Sequence, residues 1–224
     1  MTYLYLDIET VPAQDEETRA RIADTVKPPA QMKKADTIAA WEVEQKPAAV
    51  QEAISRSGLN AAYGQICCIG WAINDSKVFT QTAQEPDAEI DILSSFFDMA
   101  TKQIGNGFPV VVGHNVVGFD IRFIWQRAIV LGIRVPAWFP RDPKPWSNDV
   151  FDTMTAWAGS NDRISMDNLS LALGLPGKGD IDGSMVGQLF AEGRHKDIAA
   201  YCRDDIQRTR AIHHKMMIAF GEAA

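Results

Sequence analysis

Leu4-Tyr5-Leu6-Asp7-Ile8-Glu9-Thr10, near the start of a chain of 224 residues, decides how the rest is read. In an extended strand the side chains alternate, so Leu4, Leu6 and Ile8 point one way and Tyr5, Asp7 and Glu9 the other. The run otherwise reads as core, and carboxylates are depleted in strands and costly to bury. Two explanations fit. A strand end that emerges into solvent would leave both acids hydrated. A pair held inside would need a counter-charge, and same-face oxygen donors suit hard divalent ions such as Mg²⁺ or Mn²⁺.

Around this strand the composition is that of an ordinary globular protein, 46% hydrophobic and 23% charged. The length predicts a single domain over residues 1–224. No apolar run approaches a membrane span and no basic-then-apolar leader opens the chain, so a cytoplasmic protein without a membrane partner is expected. Three cysteines, two of them adjacent (Cys67 and Cys68), make no disulfide framework and read as buried thiols. The net charge of -7 argues against a broad basic surface for duplex DNA. Divalent ions would offset an acidic site facing a nucleic acid.

Residues 13–62 are polar and predict a helical insertion between strands, with a helix over 37–60. Gln65–Ile73 reads as a continuous apolar strand, joined by an Asn74-Asp75 turn to a shorter partner over 77–82. Ile90, Leu93, Phe97, Ala100 and Ile104 recur at helical spacing, predicting a helix over 87–104. A short buried strand over 109–113 and a helix over 119–131 follow. A proline-rich loop spans 138–148, with a helix over 164–173 and a long final helix over 197–220. Strands interleaved with helices indicate an α/β protein with a mixed sheet. His213-His214 has no partner at metal-ligand spacing and reads as helix surface.

Two further acidic positions stand out. Asp120, in His114-Asn115-Val116-Val117-Gly118-Phe119-Asp120, sits where a buried strand runs out and a helix begins, the place where open α/β sheets put their sites. A favourable charge at a helix N-terminus would account for it as well. Tyr201 and Asp205 are four apart on the last helix and share a face, while Asp204 is turned away; a solvated pair would look the same.

Together, Asp7-x-Glu9, Asn115-x-x-x-Phe119-Asp120 and Tyr201-x-x-x-Asp205 resemble, in order, type and spacing, the three motifs of the DEDD exonuclease superfamily, tyrosine subclass. The sequence is similar to the proofreading exonuclease domains of family B DNA polymerases and, more closely, to stand-alone polymerase-B-like 3′–5′ exonucleases of phages and bacteria. The Leu173-Gly174-Leu175-Pro176-Gly177-Lys178 turn adds to the likeness, which runs over residues 2–212. It implies a ribonuclease-H-like fold, a central mixed five-stranded sheet flanked by helices. It also implies two divalent cations, Mg²⁺ or Mn²⁺, held by Asp7, Glu9, Asp120 and Asp205, with Tyr201 orienting the attacking water. Two ions roughly 3.5–4 Å apart can activate water, neutralise the phosphate and help the leaving oxygen. By the same likeness Thr10, His114, Asn115 and Phe119 would touch the terminal nucleotides and Lys178 a phosphate. Arg122, Arg127, Arg134, Arg141 and Lys144 could form an electrostatic track. The expected activity is release of nucleoside monophosphates from single-stranded DNA 3′ ends, with RNA possible; an exoribonuclease and a non-catalytic binding module are the alternatives.

Overall fold

A computed structural model describes residues 1–144, 146–177 and 179–221. The first strand, β1 (Tyr3–Val11), is followed by β2 (Gln65–Ile73), β3 (Phe79–Thr82), β4 (Val110–Gly113) and β5 (Val150–Asp152). Among the described residues these form one mixed sheet in the order β3-β2-β1-β4-β5. Pairing is antiparallel between β1 and β2 and between β2 and β3, and parallel from β1 through β4 to β5. With helices on its flanks, this is the ribonuclease-H-like α/β architecture. Strand β5 was not legible in the residues themselves, because three positions are too few to show a period.

Between β1 and β2 lie α1 (Glu16–Thr25), α2 (Ala35–Glu44) and α3 (Lys46–Arg56). The expected single helix over 37–60 is thus two. Pro47 sits in the first turn of α3, where its missing N–H costs nothing, so the chain restarts at Gln45 instead of continuing. Helix α1 was not anticipated: it buries only Thr18 and Ile22, and its start is marked by Asp15, whose carboxylate accepts the Thr18 N–H at 2.7 Å.

Helices α4 (Glu89–Ile104) and α5 (Asp120–Leu131) cover one face of the sheet, where Leu4, Leu6 and Ile8 pack with Phe96, Ile121 and Ile124. The buried stripe of α4 is Ile92, Leu93, Phe96, Phe97 and Ala100, while Ile90 points outward at 42% exposed. Glu89 takes the inward position instead. Arg127 of α5 grips it through two bonds of 2.6 and 2.8 Å and also donates to the Ala61 carbonyl. Arg127 is therefore a buried brace and not part of a surface track. Lys144 of that expected track pairs with Asp142, and Arg141 stacks over Trp125.

Beyond β5 come α6 (Thr153–Ala158), α7 (Met166–Ala172), α8 (Val186–Ala191) and the long α9 (His195–Phe220). Helix α9 lies against the other face, where Ile206 packs with Tyr5, Ala72 and Val112. His213 is fully buried there, its Nδ1 2.9 Å from the Tyr5 hydroxyl, and not on the helix surface as expected. Burial, aided by the neighbouring His214, pushes its pKa down to about 4.

Candidate active site

Asp7 pairs in register with Gly70 of β2, and paired residues present their side chains on the same face. A Cβ at Gly70 would lie 2.6 Å from Cys202 Sγ and 3.0 Å from Ile206 Cδ1. Helix α9 therefore rests directly on the face that Asp7 shares, and the missing side chain at position 70 is what lets it come so close. The Cys202 thiol reaches the Asp7 carbonyl at 3.7 Å. One donor atom each from Asp7, Glu9 and Cys202 lie within 4.8 Å of one another. Asp205, one turn beyond Tyr201, is buried and hydrogen-bonded by the Tyr201 hydroxyl, whereas Asp204 is exposed.

Asp120 arrives from the opposite edge, at the start of α5. Its Oδ1 accepts the Ile8 backbone N–H at 3.0 Å, tying the helix start to β1 between Asp7 and Glu9. The loop before it is held by Asp152, whose carboxylate accepts four backbone N–H groups, from Asn115, Val117, Met154 and Thr155. Asn115 adopts φ +62°, a left-handed conformation that asparagine tolerates better than most residues. Its side chain fills the space above Gly118, where a Cβ would lie 2.5 Å from Asn115 Oδ1.

Burial dominates the electrostatics. It raises the pKa of Asp7 well above the usual carboxylate range, and the charges of Asp120 and Asp205 add to it. Glu9 is raised for the same first reason, then by Asp7 and Asp205. Asp120 is pushed up to about 8, again chiefly by burial, against the lowering effect of its backbone hydrogen bonds. Tyr201 is raised by burial and then by Glu9, Asp205 and Asp7, so its phenol stays protonated. Asp7, Glu9 and Asp120 each feel neighbouring carboxylates. Asp7 Oδ2 is buried with no hydrogen-bond partner among the described residues. An orphaned carboxylate oxygen beside a second carboxylate fits a hard divalent cation. Cys202 is a poor donor to such an ion, since its thiol is raised in pKa by its hydrogen bond with Cys68 and by burial.

The expected substrate contacts fare unequally. Thr10 is half-buried beside a cleft of about 290 Å³ that Leu59 and Gly183 also line. Phe119 is half-buried, 5.3 Å from Phe123 ring to ring. Both His114 nitrogens are engaged: Nε2 donates to the Ile164 carbonyl and Nδ1 meets the Thr153 hydroxyl, each at 2.9 Å. That ring braces the segment before α7, and burial lowers its pKa. Lys178 lies outside the described residues. Sequence reasoning missed Asp152, whose place just before Thr153 could have been read as a helix cap. It also missed Gly70 and Arg208; the latter pairs with Asp205 at i,i+3 spacing on one helix, a local signal, and with the distant Asp167.

Residues 59–223 match the family model described as a predicted 3′–5′ exonuclease related to the exonuclease domain of PolB. The Asp7-x-Glu9 strand lies ahead of that stretch. Among solved structures, the family B DNA polymerase of the hyperthermophilic archaeon Pyrobaculum calidifontis superposes with a TM-score of 0.60 at 15% identity. The match covers 98% of this chain and 25% of the polymerase, so the chain spans about a quarter of that protein's length, and the likeness is one of fold. No curated protein matches by sequence.

Proposed function

We propose a reaction for a chain that belongs to the family of predicted 3′–5′ exonucleases related to the exonuclease domain of PolB. The reaction is stepwise hydrolysis of single-stranded DNA from its 3′ end, releasing nucleoside 5′-monophosphates. One observation carries it. Asp7 Oδ2 is buried without a hydrogen-bond partner among the described residues, with Glu9 beside it and the charges of Asp120 and Asp205 acting on it.

Asp7, Glu9, Asp120 and Asp205 would hold two divalent ions, Mg²⁺ or Mn²⁺, whose chemistry is to activate water and neutralise the phosphate. Tyr201 is too weak an acid to serve as a base at neutral pH, so its part would be to orient the attacking group by a hydrogen bond. Water attacks the terminal phosphorus, the bond from phosphorus to the 3′-oxygen breaks, and that oxygen leaves with a proton. The Phe119 ring, half-buried at the loop, offers a stacking face for a base. Asp152 positions the Asn115–Asp120 loop, and His114 the segment before α7, rather than touching the nucleotide. Among the described residues no helix is long and apolar enough to cross a membrane. Three free, buried cysteines suit a reducing, cytoplasmic setting.

The test is digestion of 5′-labelled DNA and RNA strands of one sequence, with Mg²⁺ or with EDTA. The expected result is a DNA ladder shortening one nucleotide at a time, no product in EDTA, and intact closed circles. Labelled mononucleotide as the first product, or cut circles, would overturn the polarity or the exonuclease reading. Degradation of RNA alone would make the enzyme an exoribonuclease.

A further inference from the structure

Arg208 stands on α9 one turn beyond Asp205. Its Nη2 bonds Asp205 Oδ1, and its Nη1 bonds Asp167 Oδ1 of α7 at 3.1 Å. The guanidinium is nearly buried, with its side chain 12% exposed, while Asp167 at the other end is 48% exposed. Arg208 thus bridges an inner carboxylate of the site to an outer one. Among the described residues, Asp205 is the one acid of the four that is ion-paired; Asp7, Glu9 and Asp120 appear in no salt bridge. The same arginine lines a groove of about 330 Å³ beside the site, together with Leu175, Pro176, Gly177, Asp204 and Gln207.

We infer that Arg208 is the substrate-phosphate ligand of this site, held by Asp205 and released to the nucleic acid when a divalent ion takes that carboxylate. The inference rests on the nuclease reading above. A dication and a guanidinium on one carboxylate repel each other, so they compete for Asp205. Asp167 keeps the released side chain tethered to α7. An arginine fork there matches two oxygens of a phosphate, which a lysine cannot do. The substrate in turn returns the negative charge that the guanidinium loses.

The test compares wild type, Arg208→Gln and Arg208→Lys by Mn²⁺ calorimetry without DNA, and by oligonucleotide anisotropy in Ca²⁺, which separates binding from cleavage. Arg208→Gln should bind Mn²⁺ about two- to fivefold more tightly, the scale of one ion pair removed. It should bind single-stranded DNA about ten- to a hundredfold more weakly, the scale of a hydrogen bond to a charged group. The slope of log affinity against log salt should fall by about 0.7, one phosphate contact on a single strand. Arg208→Lys keeps the charge and loses the fork. It should leave Mn²⁺ affinity near wild type yet still weaken DNA binding, and it decides the matter if the glutamine variant does not fold. Unchanged or weaker Mn²⁺ binding by Arg208→Gln, or unchanged DNA affinity and salt slope, in a background where wild type cleaves, would overturn this role and leave Arg208 a strut between α7 and α9. A wild type that neither binds Mn²⁺ nor cleaves would overturn the nuclease reading beneath it.

Discussion

Asp204 and Asp205 differ by one position on α9 and by about a hundred degrees around it. Only Asp205 is buried and bonded to Tyr201. Asp205→Ala should abolish metal-supported cleavage, while Asp204→Ala, which removes a groove carboxylate but no proposed ligand, should retain it. The reverse order in a nuclease assay would place the ligand one residue early. Tyr201→Phe should cost roughly ten- to a thousandfold, within or below what positioned proton-handling groups supply. Asp7→Ala should cost far more, since Asp7 feels the charges of Asp120 and Asp205 and has a buried oxygen with no hydrogen-bond partner among the described residues. Equal losses in single-turnover rates would give the tyrosine a larger part than orientation.

At the scale of elements, everything depends on how closely α9 lies on β1 and β2. Gly70→Ala would drive a Cβ to 2.6 Å from Cys202 Sγ and 3.0 Å from Ile206 Cδ1. Overpacking of this kind costs about 1–3 kcal/mol, and at roughly 2–4 °C per kcal/mol the melting temperature should fall by several degrees. Cleavage should fall as well, because α9 carries Tyr201 and Asp205 away from Asp7. Adding Cys202→Ala to Gly70→Ala removes the nearest obstacle and should recover a good part of both. A double variant no better than the single one in melting temperature and rate would mean that α9 is seated by other contacts. A second brace, Glu89 with Arg127, joins α4 to α5 with both side chains at most 7% exposed. Glu89→Ala leaves a buried guanidinium without its counter-charge and should cost about 3–5 kcal/mol in denaturant melts.

For the whole molecule, the acid cluster links stability to protons and to metal. Asp7, Glu9 and Asp120 hold protons more tightly folded than unfolded, so the folded chain binds more protons and loses stability as pH rises. For Asp120 the window runs from about 4, the unfolded carboxylate value, to about 8. His213 works the other way: it is kept neutral by burial, and its contribution is present above about 6.5 and lost as pH falls towards about 4. The difference between wild type and Asp120→Asn isolates the carboxylate. In chelator, wild type should lose melting temperature relative to the variant as pH rises through that window; parallel curves would show that Asp120 does not titrate there. Mn²⁺ at a hundred times its dissociation constant should stabilise wild type by about 2.7 kcal/mol. Asp7→Asn should melt higher than wild type in chelator, by relief of repulsion, and should shift less on adding Mn²⁺. A lower melting temperature with an unchanged Mn²⁺ shift would make Asp7 a structural acceptor and nothing more.

The sequence by itself determined what local periodicity can encode. Period two set Leu4, Leu6 and Ile8 against Tyr5, Asp7 and Glu9, and the two layers of the core divide along that line. Period 3.6 set Tyr201 in phase with Asp205, and a strand running out into a loop marked Asp120. The tertiary structure decided what joins residues far apart in the chain. Gly70 matters because α9 lands on it, 132 positions later at Cys202, and Arg127 is a brace because Glu89, 38 residues away, meets it in the core. His213 reads as surface in a helix of mixed polarity and is buried because Tyr5 waits opposite. Arg208 is one more exposed-looking arginine until α7 brings Asp167 to its other side. A local pattern fixes which face a side chain takes, while burial and partnership depend on what the fold packs against that face.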